Sequence, residues 1–125
     1  MTPEELATVE ARLASEREQV AATEQALVAE HEAVVEASAQ SNQDDEHDPE
    51  GATIGFERAR VASLVDQARS HLAGLDQAAE RLRSGRFGTC QVCGRPIAVE
   101  RLIAHPVATT CVACAVPPAG AIRRR

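Results

Sequence analysis

The chain has no Lys, no Trp and no Tyr, and aromatic residues make up only 2 % of its 125 positions. Without large rings, and with many of its apolar residues being Ala, it lacks the material for a thick globular core. That composition suits long helices meeting along a narrow seam. No apolar run approaches the roughly 20 residues that cross a bilayer, so no membrane partner is expected. The N-terminus has neither the basic region nor the apolar stretch of a secretory leader, and the expected compartment is the cytoplasm. In that compartment paired cysteines serve as metal ligands or redox groups more often than as structural disulfides.

Charge is present but unevenly placed. The formal net charge is −6, and every basic residue is Arg. The first 50 residues hold 14 of the 19 acidic groups against 2 Arg, whereas the remainder holds 11 Arg against 5 acids. An acidic half of that size repels duplex phosphates, so sequence-specific DNA binding is not expected.

The first segment opens with Thr2-Pro3-Glu4-Glu5. Thr2 and Glu5 form a capping box around Pro3 at the first helical position. Leu6, Leu13, Val20, Leu27 and Val34 then recur every seven residues, flanked by Ala7, Ala14, Ala21, Val28 and Val35. The pattern predicts one helix from about Thr2 to Gln40, on the order of 50 Å long. Ser41 to Gly51 carries no aliphatic side chain and reads as a turn, with Asp48-Pro49 starting the next helix. From Pro49 or Thr53 to Arg83, Ile54, Val61, Ala68, Leu75 and Leu82 again repeat every seven, with Val65, Leu72 and Ala79 between them. Gly85 is the expected left-handed cap. Two helices of matched length joined by a short polar turn fold back on each other.

The fold class is therefore mainly α. A long antiparallel helical hairpin, a coiled coil, spans residues 1–84 with an acidic tip at 41–51. A small domain that holds all four cysteines follows at 85–116. Residues 117–125 form a basic tail that is expected to be flexible.

Cys90-Gln91-Val92-Cys93 and Cys111-Val112-Ala113-Cys114 are two Cys-x-x-Cys knuckles separated by 17 residues. Each knuckle offers two thiolates on one side of a tight turn, and two facing knuckles complete a tetrahedron around one zinc ion. With Cys90, Cys93, Cys111 and Cys114 as ligands, no position is left for a catalytic water, so the metal is structural and the chain is not expected to be an enzyme. A thioredoxin-like redox pair would need a βαβ frame that the sequence lacks. His105 lies between the knuckles as an alternative ligand but reads as a surface or packing residue. His31 and His71 read as polar residues beside the hairpin seam. Phe87, Ile97, Leu102, Ile103 and Val107 are the expected minimal core of the finger, with short strands at Ile97-Ala98-Val99 and near Thr109-Thr110.

The finger resembles that of the DksA/TraR family of transcription factors. The resemblance rests on Gly85-Arg86-Phe87-Gly88-Thr89-Cys90, Cys93-Gly94, Pro96-Ile97, Arg101-Leu102, Ala104-His105-Pro106, Ala108, and Cys111 to Cys114. A long hairpin before the finger also fits that family's order of parts. The resemblance implies an RNA polymerase-binding regulator whose hairpin enters the secondary channel, without reading DNA sequence itself, and for some members together with ppGpp. It also implies an effector role for the tip. Asp45 and Asp48 match the family's Asp-x-x-Asp-x-Ala pattern, and Glu50 stands where that pattern has Ala. Two other readings compete. One is a structural adaptor whose coiled coil takes a partner helix. The other is a factor of the transcript-cleavage type, with the two Asp holding Mg²⁺.

Overall fold

The computed structural model describes residues 1–41 and 49–115. Helix α1, Pro3–Ser41, begins where the capping signature puts it. The Thr2 N–H donates to Glu5 Oε1 at 2.8 Å, and the Glu5 N–H donates to Thr2 Oγ1 at 3.1 Å. Two of the first turn's unpaired donors are thereby satisfied. Helix α2, Pro49–Arg83, ends at Gly85, whose φ of +76° is the left-handed value a side chain would resist. The Arg86 N–H donates to Arg81 O at 2.9 Å and the Gly85 N–H to Leu82 O at 3.4 Å. These are the paired bonds of a Schellman cap. The segment 42–48, with Asp45 and Asp48, lies outside the described residues, as does the tail beyond Ala115.

The chain divides into two compact units, one of them Arg17–Ala73 and the other Met1–Glu16 with Gly74–Arg125. Within the first, α1 and α2 run antiparallel. Arg69 pairs with Glu24 at 3.1 Å and Arg60 with Glu30 at 3.4 Å, so the sequence rises on one helix as it falls on the other. Exposed pairs of this kind each contribute less than about 1 kcal/mol, so apolar burial fixes the pairing. Val61, Val65 and Ala68 of α2 are buried, and Val20, Leu27 and Val34 of α1 are half-buried.

The seven-residue repeat holds on both helices, and the structure adds a second row to the α1 seam. Of the residues that directly follow seam positions, Ala7, Ala14 and Val35 are exposed and Ala21 and Val28 are half-buried. A residue one step along a helix points about 100° away from its neighbour, so it lies at the edge of the seam at most. The second row consists of Val9, Glu16, Glu24, His31 and Ser38, all buried or half-buried. Only Val9 among them is aliphatic, so this row is mostly polar.

In the second unit, Val9, Leu13, Leu75 and Ala78 are buried at 5 % exposure or less. They join Ile97 and Leu102 of the finger in the core of that unit. No strand occurs among the described residues. The strand expected at Ile97-Ala98-Val99 is replaced by an isolated Thr89–Pro96 bridge and by a short helix α3, Val99–Ala104. Near Thr109-Thr110 the chain forms no strand, and it leads into a single helical turn α4, Val112–Ala115. The finger core is smaller than expected. Phe87, Ile103 and Val107 are only half-buried, while Pro106 and Cys90 are fully enclosed.

Two glycines inside α2 give a direct test of this packing. A Cβ at Gly55 would meet nothing within 4 Å, and one at Gly74 would touch Val107 Cγ1 at 3.7 Å, an ordinary contact. Gly55→Ala and Gly74→Ala are each expected to raise stability by about 0.5–1 kcal/mol, because Ala loses less backbone entropy on entering a helix. Urea denaturation midpoints measure the gain. A loss at Gly74 would mean that Val107 sits closer to α2 than described.

Candidate metal centre

The first knuckle is a closed loop made by its own backbone. The Cys90 N–H donates to Arg95 O at 2.8 Å, the Gly94 N–H to Cys90 O at 3.0 Å, and the Ile97 N–H to Gly88 O at 2.7 Å. Gly94, at φ +76°, reverses the chain directly after Cys93. The second knuckle is the start of α4. The Cys114 N–H donates to Cys111 O at 3.1 Å and the Ala115 N–H to the same oxygen at 2.9 Å. Two further bonds hold the approach to Cys111. The Gln91 N–H donates to Thr109 O at 2.8 Å, and the Arg101 guanidinium Nε donates to Thr110 O at 2.9 Å.

This scaffold brings the sulfurs of Cys90, Cys93, Cys111 and Cys114 within 4.8 Å of one another. Cys93 Sγ and Cys111 Sγ are 3.8 Å apart. Four sulfurs at about 2.3 Å from a central ion sit about 3.8 Å from each other, so the group has the size of a tetrahedral zinc–thiolate site. No disulfide joins the four. Cys90 is enclosed and Cys93 exposed, with Cys111 and Cys114 between these extremes. His105 is exposed and stands outside the cluster.

The electrostatics of the four thiols also call for a cation. The backbone N–H of Cys93, and further N–H groups from Cys111 and Val92, stabilise the Cys90 thiolate and lower its pKa to about 6. The backbone N–H of Cys114 does the same for Cys111. Cys114 is pushed up to about 12, first because it donates to Cys111 and then because burial disfavours a further negative charge. A divalent ion removes that conflict by displacing the last protons. The sign of the pH dependence follows. Zinc competes with protons for thiolates, so acid favours the metal-free form. Apparent zinc affinity is expected to fall by about tenfold or more per unit as pH drops below 7. Titration against a metallochromic chelator measures this, and a pH-independent affinity would contradict thiolate ligation.

Comparison with known proteins agrees with the donor set. Residues 85–117 match the prokaryotic dksA/traR C4-type zinc finger. A 66-residue stretch is 36 % identical to the uncharacterized protein YteA of Bacillus subtilis (strain 168), covering 53 % of this chain and 28 % of that protein. A 61-residue stretch is 36 % identical to the RNA polymerase-binding transcription factor DksA of Caulobacter vibrioides, covering 49 % of this chain and 43 % of that protein. The matches thus span less than half the length of these curated relatives. The structure of transcription factor DksA2 from Pseudomonas aeruginosa superposes with a TM-score of 0.51 at 27 % identity, over 85 % of this chain and 81 % of that one. A C4-type finger with four clustered cysteines fits one structural zinc.

Proposed function

We propose that this chain, a member through its finger of the DksA/TraR family of C4-type zinc-finger proteins, is an RNA polymerase-binding regulator of transcription that performs no chemistry of its own. The observation that carries this reading is the likeness to transcription factor DksA2 across 85 % of the chain, which takes in the helices as well as the finger. A finger alone could belong to many proteins. A finger that follows two long antiparallel helices matches the order of parts of a polymerase-binding factor.

In this reading the hairpin of residues 1–84 is the working arm and the acidic segment 41–51 is its tip. It enters the secondary channel of the polymerase, where Asp45 and Asp48 act on groups near the active site. Carboxylates are suited to such a place. In a channel shielded from bulk water their attraction to Arg, Lys or Mg²⁺ is stronger than on an open surface. Zinc stabilises the finger that follows the hairpin in the chain. The site of action is cytoplasmic, DNA sequence is not read directly, and ppGpp is a co-effector to be tested.

Binding of the labelled, zinc-loaded protein to purified RNA polymerase tests the proposal. Saturable binding that another secondary-channel ligand displaces is expected. Absence of binding would contradict the function. Binding that persists unchanged beside such a ligand would contradict the channel and point to a different surface.

A further inference from the structure

The two knuckles are held by different means. The first is closed on itself by backbone bonds from Cys90, Gly94 and Ile97. The approach to the second is held by one backbone bond, from the Gln91 N–H to Thr109 O, and by one side chain beside the ligand. The gripping group is the Arg101 guanidinium, half-buried, whose Nε donates to Thr110 O at 2.9 Å, one residue before Cys111.

Arg101 is itself fixed at both ends. Its N–H donates to Ala98 O at 3.1 Å and its carbonyl accepts from the His105 N–H at 2.7 Å. The next residue, Leu102, has no exposed surface and anchors α3 in the core. Arg12 of α1 donates from Nε to Ile103 O at 3.3 Å, tying the end of α3 to the first helix. A continuous series of contacts therefore runs from α1 through α3 to the residue that carries Cys111 into place.

Cys111 is half-buried and belongs to the second knuckle. Its sulfur lies 3.8 Å from that of Cys93, the exposed cysteine. A four-thiolate site gives up its metal only when the two knuckles part, so a bond that holds the second knuckle in place bears on release. We propose that Arg101 is a positioning residue for the zinc site and that its bond to the Thr110 carbonyl sets how long the metal is retained. This inference rests on the zinc reading of the four cysteines and is independent of whether the chain engages polymerase.

The test uses the full chain loaded with zinc, with release followed in excess chromophoric chelator, and with cobalt substituted for zinc in a parallel sample. Arg101→Met keeps the aliphatic stem and removes the donor. Arg101→Gln removes the charge and shortens the reach. Both are expected to release zinc about 10–100-fold faster, the usual cost of losing an outer-shell contact, and to shift the cobalt–thiolate absorption. Helical content and the melting of α1 and α2 should stay at wild-type values. Arg101→Lys, which retains a cationic donor, should recover most of the retention, and Arg58→Gln, at an exposed position on α2, should leave the rate unchanged. Should Arg101→Met not fold, Arg101→Gln decides alone. Release within twofold of wild type in the folded variants overturns the proposal. So does faster release that merely tracks a general loss of helix, with Arg101→Lys no better than Arg101→Met.

Discussion

Stripping the metal with a strong chelator under reducing conditions is expected to unfold residues 85–115 while the Arg17–Ala73 unit keeps its helices. In the finger, the large aliphatic side chains buried to below 5 % exposure are Ile97 and Leu102. Each contributes about 1.5–3 kcal/mol on burial, whereas ordering costs about 1–2 kcal/mol per residue in backbone entropy alone. Zinc supplies about 10–16 kcal/mol in small sites of this type at neutral pH, so the folded finger depends on it. Helices α3 and α4 are six and four residues long, too short to persist without the cluster. Hydrogen exchange before and after chelation distinguishes the two regions. Amides of 85–115 should lose about 100-fold or more of their protection, while those of 20–38 and 56–72 should change little. Cys90→Ser, which alters the enclosed ligand, should reproduce the effect without chelator. Retained protection across the finger after complete metal loss would contradict a zinc-dependent fold.

The second large effect concerns function. Replacing both Asp45 and Asp48 by Asn is expected to leave zinc content, helical content and melting unchanged, yet to reduce the effect on transcription by about tenfold or more. Asn has nearly the shape of Asp but no charge. If the carboxylates act on cationic groups in a low-dielectric channel, charge removal costs about 2 kcal/mol or more, as it does at buried charged contacts in other interfaces. If they serve only to keep a turn soluble, Asn serves equally well, because it is a turn former of the same class. Promoter-specific transcription with purified polymerase separates these outcomes. Full regulation by the double variant would remove the tip residues from the account and leave polymerase binding to be explained by other surfaces.

The long helices were legible because their signals are local. The capping box of Thr2 and Glu5, the Gly85 cap and the seven-residue repeats each act within a few residues, and the structure has α1 from Pro3 and α2 to Arg83 accordingly. The spacing of the knuckles was legible for the same reason: two tight turns present two sulfurs each wherever they occur. The second row of the α1 seam was not legible because its members are mostly polar. Glu24 and His31 stand in that row, half-buried. Binary pattern alone does not mark a polar residue as inward-facing.

The finger interior was the least legible part. Val99–Ala104 is too short to display a helical period, and its β-branched residues suggest a strand. Its conformation is set by partners distant in sequence. Arg12 and Ile103 are 91 positions apart, and the bond between them holds one end of α3. Arg101 was visible as part of the motif with Leu102, but nothing in the sequence indicates that its guanidinium reaches Thr110. Pro106, fully enclosed, likewise owes its burial to neighbours that only the folded chain supplies.

Placing a photo-activated cross-linking residue at position 45, and separately at 48, in the zinc-loaded protein tests the functional account most directly. With purified RNA polymerase, the mapped adducts are predicted to fall inside the secondary channel close to the active site, and to disappear when that channel is filled by another ligand. Adducts confined to the outer surface of the polymerase, or no adducts from either position under conditions where the protein is bound, would contradict it.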